Sequence, residues 1–209
     1  MKKRTIKDVI GRRVWDSRGR PTVEAEVRLA GGASGRAIAP AGASTGSGEA
    51  TDLRDGGKVL GGYDVARARE HINTEIASAL KGLDVTGQAS LDQILIDLDG
   101  TDDKGRLGAN ALVAVSMAIA HAAAAAADIP LWQFLLKDAG AVLPLPQIQI
   151  FGGGAHADRQ VDIQDFLVLP IGASSFADAL AWTAAVYHKA AAIMAEGGQR
   201  YGVADEGGL

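Results

Sequence analysis

A strict alternation of apolar and polar residues from Pro21 to Ala30 constrains the fold of this chain more than any other feature. One side of the segment carries charged residues, and the apolar side consists of Val23, Ala25, Val27 and Leu29. A period of two predicts a half-buried antiparallel strand, because successive side chains of a strand point to opposite faces. Gly31-Gly32 supplies a tight turn after it. We therefore predict partner strands at Ser34 to Ala39 and at about Thr5 to Trp15.

The apolar period becomes helical further along the chain. One helical stripe contains Val65, Ala68, Ile72, Ile76 and Ala79. Asp64 stands before this stripe, at the position of an N-cap. A shorter helix is predicted at about Ser90 to Leu98, and an alanine-rich helix from about Ala109 to Ala127. Three strands followed by several helices predict an α+β domain, with the helices on one face of a small antiparallel sheet. We place this domain at residues 1–138.

A second domain is predicted at residues 139–209. Its first strands are expected at Gln147 to Phe151 and at Ile163 to Leu169, with a glycine-rich loop between them. Ser175 begins a capping-box pattern, and a helical stripe continues from it to Gly197. The segment from Tyr201 to Glu206 is predicted as one more strand.

Composition excludes several classes of protein. The 209 residues include no cysteine, so a disulfide framework, a thiolate metal site and a thiol nucleophile are excluded. The alanine-rich stretch from Ala109 to Trp132 contains polar residues and is too weakly apolar to predict a membrane span. A net charge of −4 without a run of Lys and Arg argues against a nucleic-acid surface. No apolar signal segment follows the basic start, so we expect a cytoplasmic protein.

A loop of small residues follows the third predicted strand. It runs from Pro40 to Glu49 and contains three glycines and several hydroxyl side chains, which allow a backbone to approach a ligand closely. It is not a P-loop, which needs a Lys-Ser/Thr pair, nor a dinucleotide motif, which needs a surrounding βαβ unit. From the residues alone, an ordinary surface loop and a ligand-binding loop both remain open.

Three further segments place polar side chains at the ends of predicted strands, where barrel and α/β enzymes collect catalytic groups. His156 lies on the glycine-rich loop. Gln164 and Asp165 enter an apolar strand, so the carboxylate needs a partner or a ligand. Asp205-Glu206 is an acidic pair that suits metal binding or acid/base work, with a plain acidic turn as the alternative. Structural roles are expected for the histidines in predicted helices, which are His71, His121 and His188.

Six segments resemble motifs of the enolase family and occur in the family's order. They are Val14 to Glu24, Gly42 to Gly46, Leu53 to Gly56, Arg106 to Ala111, Gly153 to Ala157 and Asp205 to Gly208. The resemblance covers nearly the whole chain, and six ordered motifs are highly specific. Enolase chains are about twice as long, because a small α+β cap precedes an eight-fold α/β barrel of ~250 residues. The resemblance therefore implies an α+β cap domain at 1–138 and the first part of a TIM-like barrel at 139–209.

The resemblance also implies a magnesium-dependent lyase. Enolase removes water from 2-phosphoglycerate to form phosphoenolpyruvate in glycolysis, by abstracting a proton next to a carboxylate and then releasing hydroxide. The ene-diolate intermediate needs divalent cations close by, and hard oxygen ligands suit Mg²⁺. The base lysine and the permanent magnesium ligands are expected beyond Leu209, so this chain alone is expected to be inactive.

Roles for individual residues follow from the same resemblance. The expected catalytic residues are Glu206, Asp165 and His156. The expected substrate-binding residues are His156, Gln164, Asp165, Gly42 and Ala43. As the loop around Gly42 closes over the substrate and expels water, Ser44 would bind the catalytic magnesium ion. Glu206 would be the acid that assists departure of the hydroxyl group.

The chain departs from the family pattern near the expected site. Asp165 stands where the family usually has glutamate, which withdraws the carboxylate by about one methylene, on a scale where ~1 Å of misplacement can cost a hundredfold. Ala41, Phe151-Gly152 and Gly57 also differ from the pattern. Two alternatives therefore stay open. One is an enolase paralogue that acts on another phosphorylated or phosphonate three-carbon acid, and the other is a non-catalytic enolase-like binding module.

Partners are also implied by the family. Its members form homodimers or dimer-based octamers, and the segment from Asp16 to Gly19 resembles their dimer contact. We therefore expect a small phosphorylated substrate and a homo-oligomer. We expect neither a nucleic-acid partner nor a membrane span.

Overall fold

The computed structural model describes residues 3–42, 46–136, 140–159, 161–199, 202–204 and 206–209, with only the backbone of His156. These residues form two compact units that are divided in sequence between residues 139 and 140. The first unit contains a three-stranded sheet with helices packed against it. The second contains a two-stranded sheet and a long helix.

The sheet of the first unit is antiparallel, in the order β1-β2-β3. Its strands are β1 at Ile6–Trp15, β2 at Pro21–Leu29 and β3 at Ser34–Ala39. All three predicted strands are confirmed. The apolar side of β2 is fully buried, as the alternation predicts. The prediction that β2 is only half buried is wrong, because Glu24 and Glu26 on its other side are only 7% and 9% exposed.

Arginine side chains explain the burial of these two acids. Arg12 of β1 donates hydrogen bonds to both Glu24 and Glu26. Arg28 donates to Glu26 at 2.7 Å, and Arg36 lies 3.7 Å from Glu24. Because each carboxylate keeps a cationic partner, the strand tolerates two nearly buried charges.

The described part of the first unit contains five α-helical segments. They are α1 at Ala66–His71, α2 at Ala77–Leu80, α3 at Gln88–Asp99, α4 at Ala109–Ala126 and α5 at Leu131–Leu136. A π-helical segment at Ile72–Ile76 joins α1 to α2 without a break, and a short 3₁₀ turn precedes them at Val59–Gly62. The predicted helical stripe is confirmed, because Ile72 and Ile76 are fully buried in the core.

The first turn of α1 is capped differently from the prediction. Asp64 is not the N-cap, since its carboxylate binds Arg13 at 2.9 Å and accepts from the amide of Val65. The carboxylate of Asp55 instead accepts from the amides of Ala66 and Arg67, at 2.8 and 3.1 Å. A side chain eleven positions upstream therefore satisfies the free N–H groups that a local cap would satisfy.

The π-helical segment places an asparagine beside the outer edge of β1. The Asn73 side chain accepts from the amide of Gly11 at 2.9 Å and donates to its carbonyl oxygen at 3.0 Å. It also donates to the carbonyl oxygen of Arg69 within the helix. Gly11 is needed for this approach, because a Cβ there would lie 2.8 Å from Cβ of Ile72.

The alanine-rich helix α4 packs directly on the sheet. At Gly35 of β3, a Cβ would lie 2.2 Å from the backbone nitrogen of Ala122 and 2.4 Å from the carbonyl oxygen of Ala118. By length and composition α4 could cross a membrane, with a mean hydropathy of 1.6, but 61% of it is buried inside the structure. That burial is the pattern of a helix in a protein core, so its small side chains serve a close approach to the strands.

The second unit begins with a two-stranded antiparallel sheet. Its elements are β4 at Ile148–Gly152, a 3₁₀ turn at Gly154–Ala157, β5 at Asp165–Val168 and α6 at Phe176–Glu196. The predicted cap of α6 is confirmed, since Oγ of Ser175 accepts from the amide of Asp178 at 3.1 Å.

The last predicted strand, from Tyr201 to Glu206, is not formed by the described residues of that segment. Tyr201 and Asp205 lie outside the described residues. The amide of Ala204 donates to Gly208 at 2.7 Å and the amide of Gly207 donates to Ala204 at 2.9 Å, so the chain turns here. It rejoins β4 at Leu209, whose amide donates to Ile150 at 2.8 Å.

The close contact at Gly35 predicts a large loss of stability on Gly35→Ala. The added methyl group would collide with two backbone atoms of α4, which cannot move independently of the helix, so we expect a loss of about 3 kcal/mol. Chemical denaturation of the chain would measure it. Gly48→Ala is the matched control, since Gly48 is exposed and nothing lies within 4 Å of its Cβ position. Equal stability of the two variants would contradict this packing.

The ion pairs between Glu26 and its arginine partners predict that the free energy of unfolding depends on pH. Hydrogen bonds from Arg28 and then Arg12 hold the pKa of Glu26 at about 2, below its ordinary 4.5. Since the pKa is lowered in the folded state, this stabilisation is present above pH 4.5 and is lost as the pH falls towards 2. Solvent screens the half-exposed arginines, so we expect about 1 kcal/mol.

Glu26→Gln tests this assignment when stability is measured by denaturation across that pH range. As the pH falls, the free energy of unfolding of the variant should decrease by about 1 kcal/mol less than that of the unchanged chain. Glu75→Gln serves as the control, because it removes an exposed ion pair with Arg106, 2.9 Å long, elsewhere in the unit. An identical pH dependence for Glu26→Gln and the unchanged chain would rule the assignment out.

Candidate active site

The carboxyl end of β4 is where the predicted polar residues of the second unit meet. In the β4–β5 pair, Gly152 lies opposite Asp165 and Gln149 lies opposite Leu167, with an irregularity between Gln149 and Phe151. Asp165 is two residues from Leu167, so its side chain shares a face with that of Gln149. Gly152 carries no side chain, and a Cβ there would lie 2.7 Å from Cβ of Ala204, which packs against this position.

The side-chain amide of Gln149 bridges the carboxylates of Asp165 and Glu206. Nε2 of Gln149 donates to Oδ1 of Asp165 and also to Oε2 of Glu206, the latter at 3.1 Å. Asp165 and Glu206 are 41 positions apart in sequence, yet both carboxylates reach one nitrogen atom. The predicted partner for the Asp165 carboxylate is therefore a neighbouring strand residue.

The histidine turn lies against the segment that leads into β5. The amide of Gly153 donates to the carbonyl oxygen of Gln164 at 2.7 Å, and the amide of Gly154 donates to Val161 at 2.8 Å. Gly153 has to be glycine, because a Cβ would lie 2.1 Å from the carbonyl oxygen of Ile163. The backbone of His156 is thereby placed beside Gln164, while its side chain lies outside the described residues.

The turn that carries Glu206 is fixed from two directions. The hydroxyl group of Tyr187 on α6 donates to the carbonyl oxygen of Gly207 at 3.0 Å, and Leu209 pairs with β4. A Cβ on Gly208 would lie 2.4 Å from Oε1 of Gln149 and 2.6 Å from the amide nitrogen of Gly152. Only glycine fits at 208 without moving Gln149.

A cavity of 420 Å³ adjoins this end of β4. Its lining includes Gly152, Ala157, Asp158, Ala204 and Leu209. That volume is within the range of small-molecule sites. A larger cavity of 820 Å³ lies in the first unit, and among the described residues no predicted site residue lines either cavity, so cavity size does not identify the site.

The small-residue loop belongs to the first unit, and both of its described ends are tied down. The guanidinium group of Arg18 donates to the carbonyl oxygen of Ala41, next to Gly42. At the other end, Oε1 of Glu49 accepts from the amide of Gly46 at 2.7 Å. The predicted ligand Ser44 and the predicted substrate contact Ala43 lie outside the described residues, so their roles stay predictions.

Magnesium ligands were expected mainly beyond Leu209. Within the described ranges, no three His, Asp or Glu side chains converge as a metal site. The carboxylates of Asp165 and Glu206 offer hard oxygen atoms, which are of the type that Mg²⁺ prefers. By donor type, these two carboxylates therefore suit Mg²⁺.

Comparison with known families gives two matches that together span most of the chain. The model of "Enolase, N-terminal domain" matches residues 6–135, and that of "Enolase, C-terminal TIM barrel domain" matches residues 140–209. The chain belongs to the enolase family. The fold-class prediction is confirmed, because an enolase N-terminal α+β domain is followed by the start of an enolase TIM barrel.

Membership of the enolase family supports a lyase of the enolase superfamily. Enolases generally use Mg²⁺, act on small molecules and form oligomers. Of the predicted enolase site residues, the structure brings Gln164, Asp165, Glu206 and the backbone of His156 to one end of β4. Gly42 lies in the other unit, at the end of a strand-to-loop connection held by Arg18.

Two site-building residues were missed by the sequence reasoning. Gln149 carried one usable signal, because a polar residue interrupts the isoleucines of β4. Tyr187 carried none, since its role is a contact between α6 and a turn that follows twenty residues later. Both act by holding Glu206 or the chain around it.

Tyr187→Phe should loosen the turn that carries Glu206. Removing one hydrogen bond of about 1 kcal/mol should speed hydrogen exchange of the Gly207 amide by about fivefold. Hydrogen exchange read by NMR would measure it. Tyr63→Phe, which removes a hydroxyl group from a half-exposed tyrosine of the first unit, should leave that amide unchanged. If neither variant changes the exchange rate, Tyr187 does not support this turn.

Proposed function

We propose that this chain is part of a magnesium-dependent hydro-lyase that interconverts 2-phosphoglycerate and phosphoenolpyruvate. The observation that supports it is the meeting of Asp165 and Glu206 at the end of β4, in a chain of the enolase family. A role in cytoplasmic glycolysis, and assembly as a homodimer or dimer-based octamer, belong to the same proposal. So does the division into a cap domain at 1–138 and barrel residues at 139–209.

The proposal assigns a separate task to each residue near β4. Glu206, as a carboxylic acid, delivers a proton to the departing hydroxyl group. Gln164 and His156 contact the substrate, and Asp165 lies beside the acid as a second carboxyl group. Closure of the Gly42 to Gly46 loop, with Ser44 on it, excludes water from the site.

Bound Mg²⁺ supplies the positive charge that stabilises an ene-diolate next to a phosphate group. Ser44 is the proposed ligand in this chain. The base that removes the proton, and the permanent metal ligands, are assigned to residues outside these 209. The activity is therefore a property of the complete barrel.

A second candidate activity is favoured by Asp165 and Gly152. The carboxylate at 165 is one methylene shorter than the usual glutamate, and position 152 has no side chain at all. The first change leaves room near the proposed substrate contacts, and the second makes room for Cβ of Ala204, which would lie 2.7 Å from a Cβ at 152. They favour a different phosphorylated or phosphonate three-carbon acid as the substrate.

Turnover assays on the full gene product decide between these functions. With Mg²⁺ and 2-phosphoglycerate, we expect formation of phosphoenolpyruvate at about 10 per second or faster. The ultraviolet absorbance of the product measures this rate. Negligible turnover of 2-phosphoglycerate with rapid turnover of a phosphonate analogue would favour the second activity. Binding without turnover of either compound, even after Asp165→Glu, would indicate a non-catalytic enolase-like binding module and overturn both proposals.

Glu206→Gln tests the assigned acid in the same assay. Loss of a general acid lowers kcat by about 100-fold or more. Glu196→Gln is the matched control, because Glu196 is an exposed residue at the end of α6 and its substitution should leave kcat unchanged. A Glu206→Gln enzyme with the full rate would remove Glu206 from the mechanism.

A further inference from the structure

We propose that Gln149 is a positioning residue that sets the separation and orientation of the Asp165 and Glu206 carboxylates, in space left by Gly152 and Gly208. This inference rests on the proposed function, because it concerns the same pair of acids. Gln149 itself is not assigned a contact with the substrate. It acts through the two carboxyl groups that its amide holds.

The orientation of the Gln149 amide is determined by its partners. A carboxyl group keeps an acceptor oxygen whether it is ionised or protonated, and a side-chain amide has two hydrogens on its nitrogen. Both acceptors lie near Nε2, which donates to Asp165 and to Glu206. Reversing the amide would place its oxygen against two carboxylates, so the structure favours one orientation.

The cost of this orientation is visible on the other side of the amide. Oε1 of Gln149 is buried and accepts no hydrogen bond within the described part of the chain. An unsatisfied buried oxygen is unfavourable by about 1–3 kcal/mol. Turning the amide over would remove both hydrogen bonds from Nε2 to the acids, so the amide keeps this orientation although Oε1 is left unsatisfied.

The glycines around Gln149 leave the space that it occupies. A Cβ on Gly208 would lie 2.4 Å from Oε1 of Gln149, and one on Gly152 would lie 3.4 Å from the same atom. A Cβ on Gly152 would also lie 2.7 Å from Cβ of Ala204, in the segment before Glu206. A side chain at 208 would therefore push the amide away from the acids, and one at 152 would displace Ala204 in the segment before Glu206.

The lengths of Gln149 and Asp165 are matched across the two strands. Gln149 lies diagonally across from Asp165, a separation that only long side chains can bridge. A short carboxylate at 165 is met by a long amide at 149. We infer that the shortened acid and the glycine at 152 belong to one arrangement centred on Gln149.

The experiment compares Gln149→Leu, Gln149→Asn, Asp165→Glu and Gln149→Asn/Asp165→Glu in the full gene product, with Gln147→Leu as the control. Gln147 is exposed, just before β4, and its substitution makes the same chemical change. Gln149→Leu should lower kcat by about 10–100-fold with KM changed less than about threefold, because the acids lose their relative position. Gln147→Leu should change neither parameter.

Compensation by length provides the decisive readout. One methylene is removed at 149 and one is added at 165, so the double variant should be about tenfold faster than the product of the two single effects. Additive effects of the two changes would overturn the proposal, as would an unchanged kcat or a change in KM alone for Gln149→Leu.

Carboxyl ¹³C NMR separates this inference from the proposed function. In Gln149→Leu, the resonances of both Asp165 and Glu206 should shift, while Gln147→Leu should move neither. If the unchanged protein has no turnover with any substrate tested, the proposed function fails. The inference is then tested by the carboxyl resonances of Asp165 and Glu206 alone. If they stay in place in Gln149→Leu, the inference fails, whatever the turnover.

Discussion

The contact between α4 and β3 at Gly35 is the constraint on which the first unit depends. At this point two backbones touch with no side chain between them, so the sheet lies closer to the helix than ordinary core residues allow. The buried face of α4 is rich in alanine, with larger residues such as Val115 and Ile119 among them. Further large apolar residues of the core include Ile72, Ile76 and Leu80. β3, which packs against α4, ends at Ala39, and the small-residue loop begins directly after it.

Charge is handled in opposite ways in the two units. On β2, two nearly buried acids are neutralised by arginines of all three strands, which is a structural use of ion pairs. At the end of β4, Asp165 and Glu206 are exposed, and their shared partner is the neutral amide of Gln149. A neutral donor fixes the position of an acid without supplying a compensating charge.

Sequence reasoning predicted most of the elements and the fold class, because alternation in β2 and the helical stripe at Ile72 and Ile76 are local signals. It failed where a residue distant in sequence makes a contact that local patterns do not predict. Asp55 caps α1 in place of Asp64, and arginines bury the outer face of β2. The strand predicted up to Glu206 became a turn, since Gly207 and Gly208 bend the chain back onto β4. The candidate acids were found by type and position, but the only sequence signal of Gln149 was its place between the isoleucines of β4, which does not reveal its contact with both acids.

The Asn73 side chain has a consequence for how the first unit meets other chains. An outer strand normally presents free N–H and C=O groups that a foreign strand can bind, which is a route to aggregation. At Gly11, one amide side chain occupies both groups of the same residue and imitates a neighbouring strand. The π-helical segment that carries Asn73 thus blocks pairing of a foreign strand at Gly11, and the three-stranded sheet ends at β1.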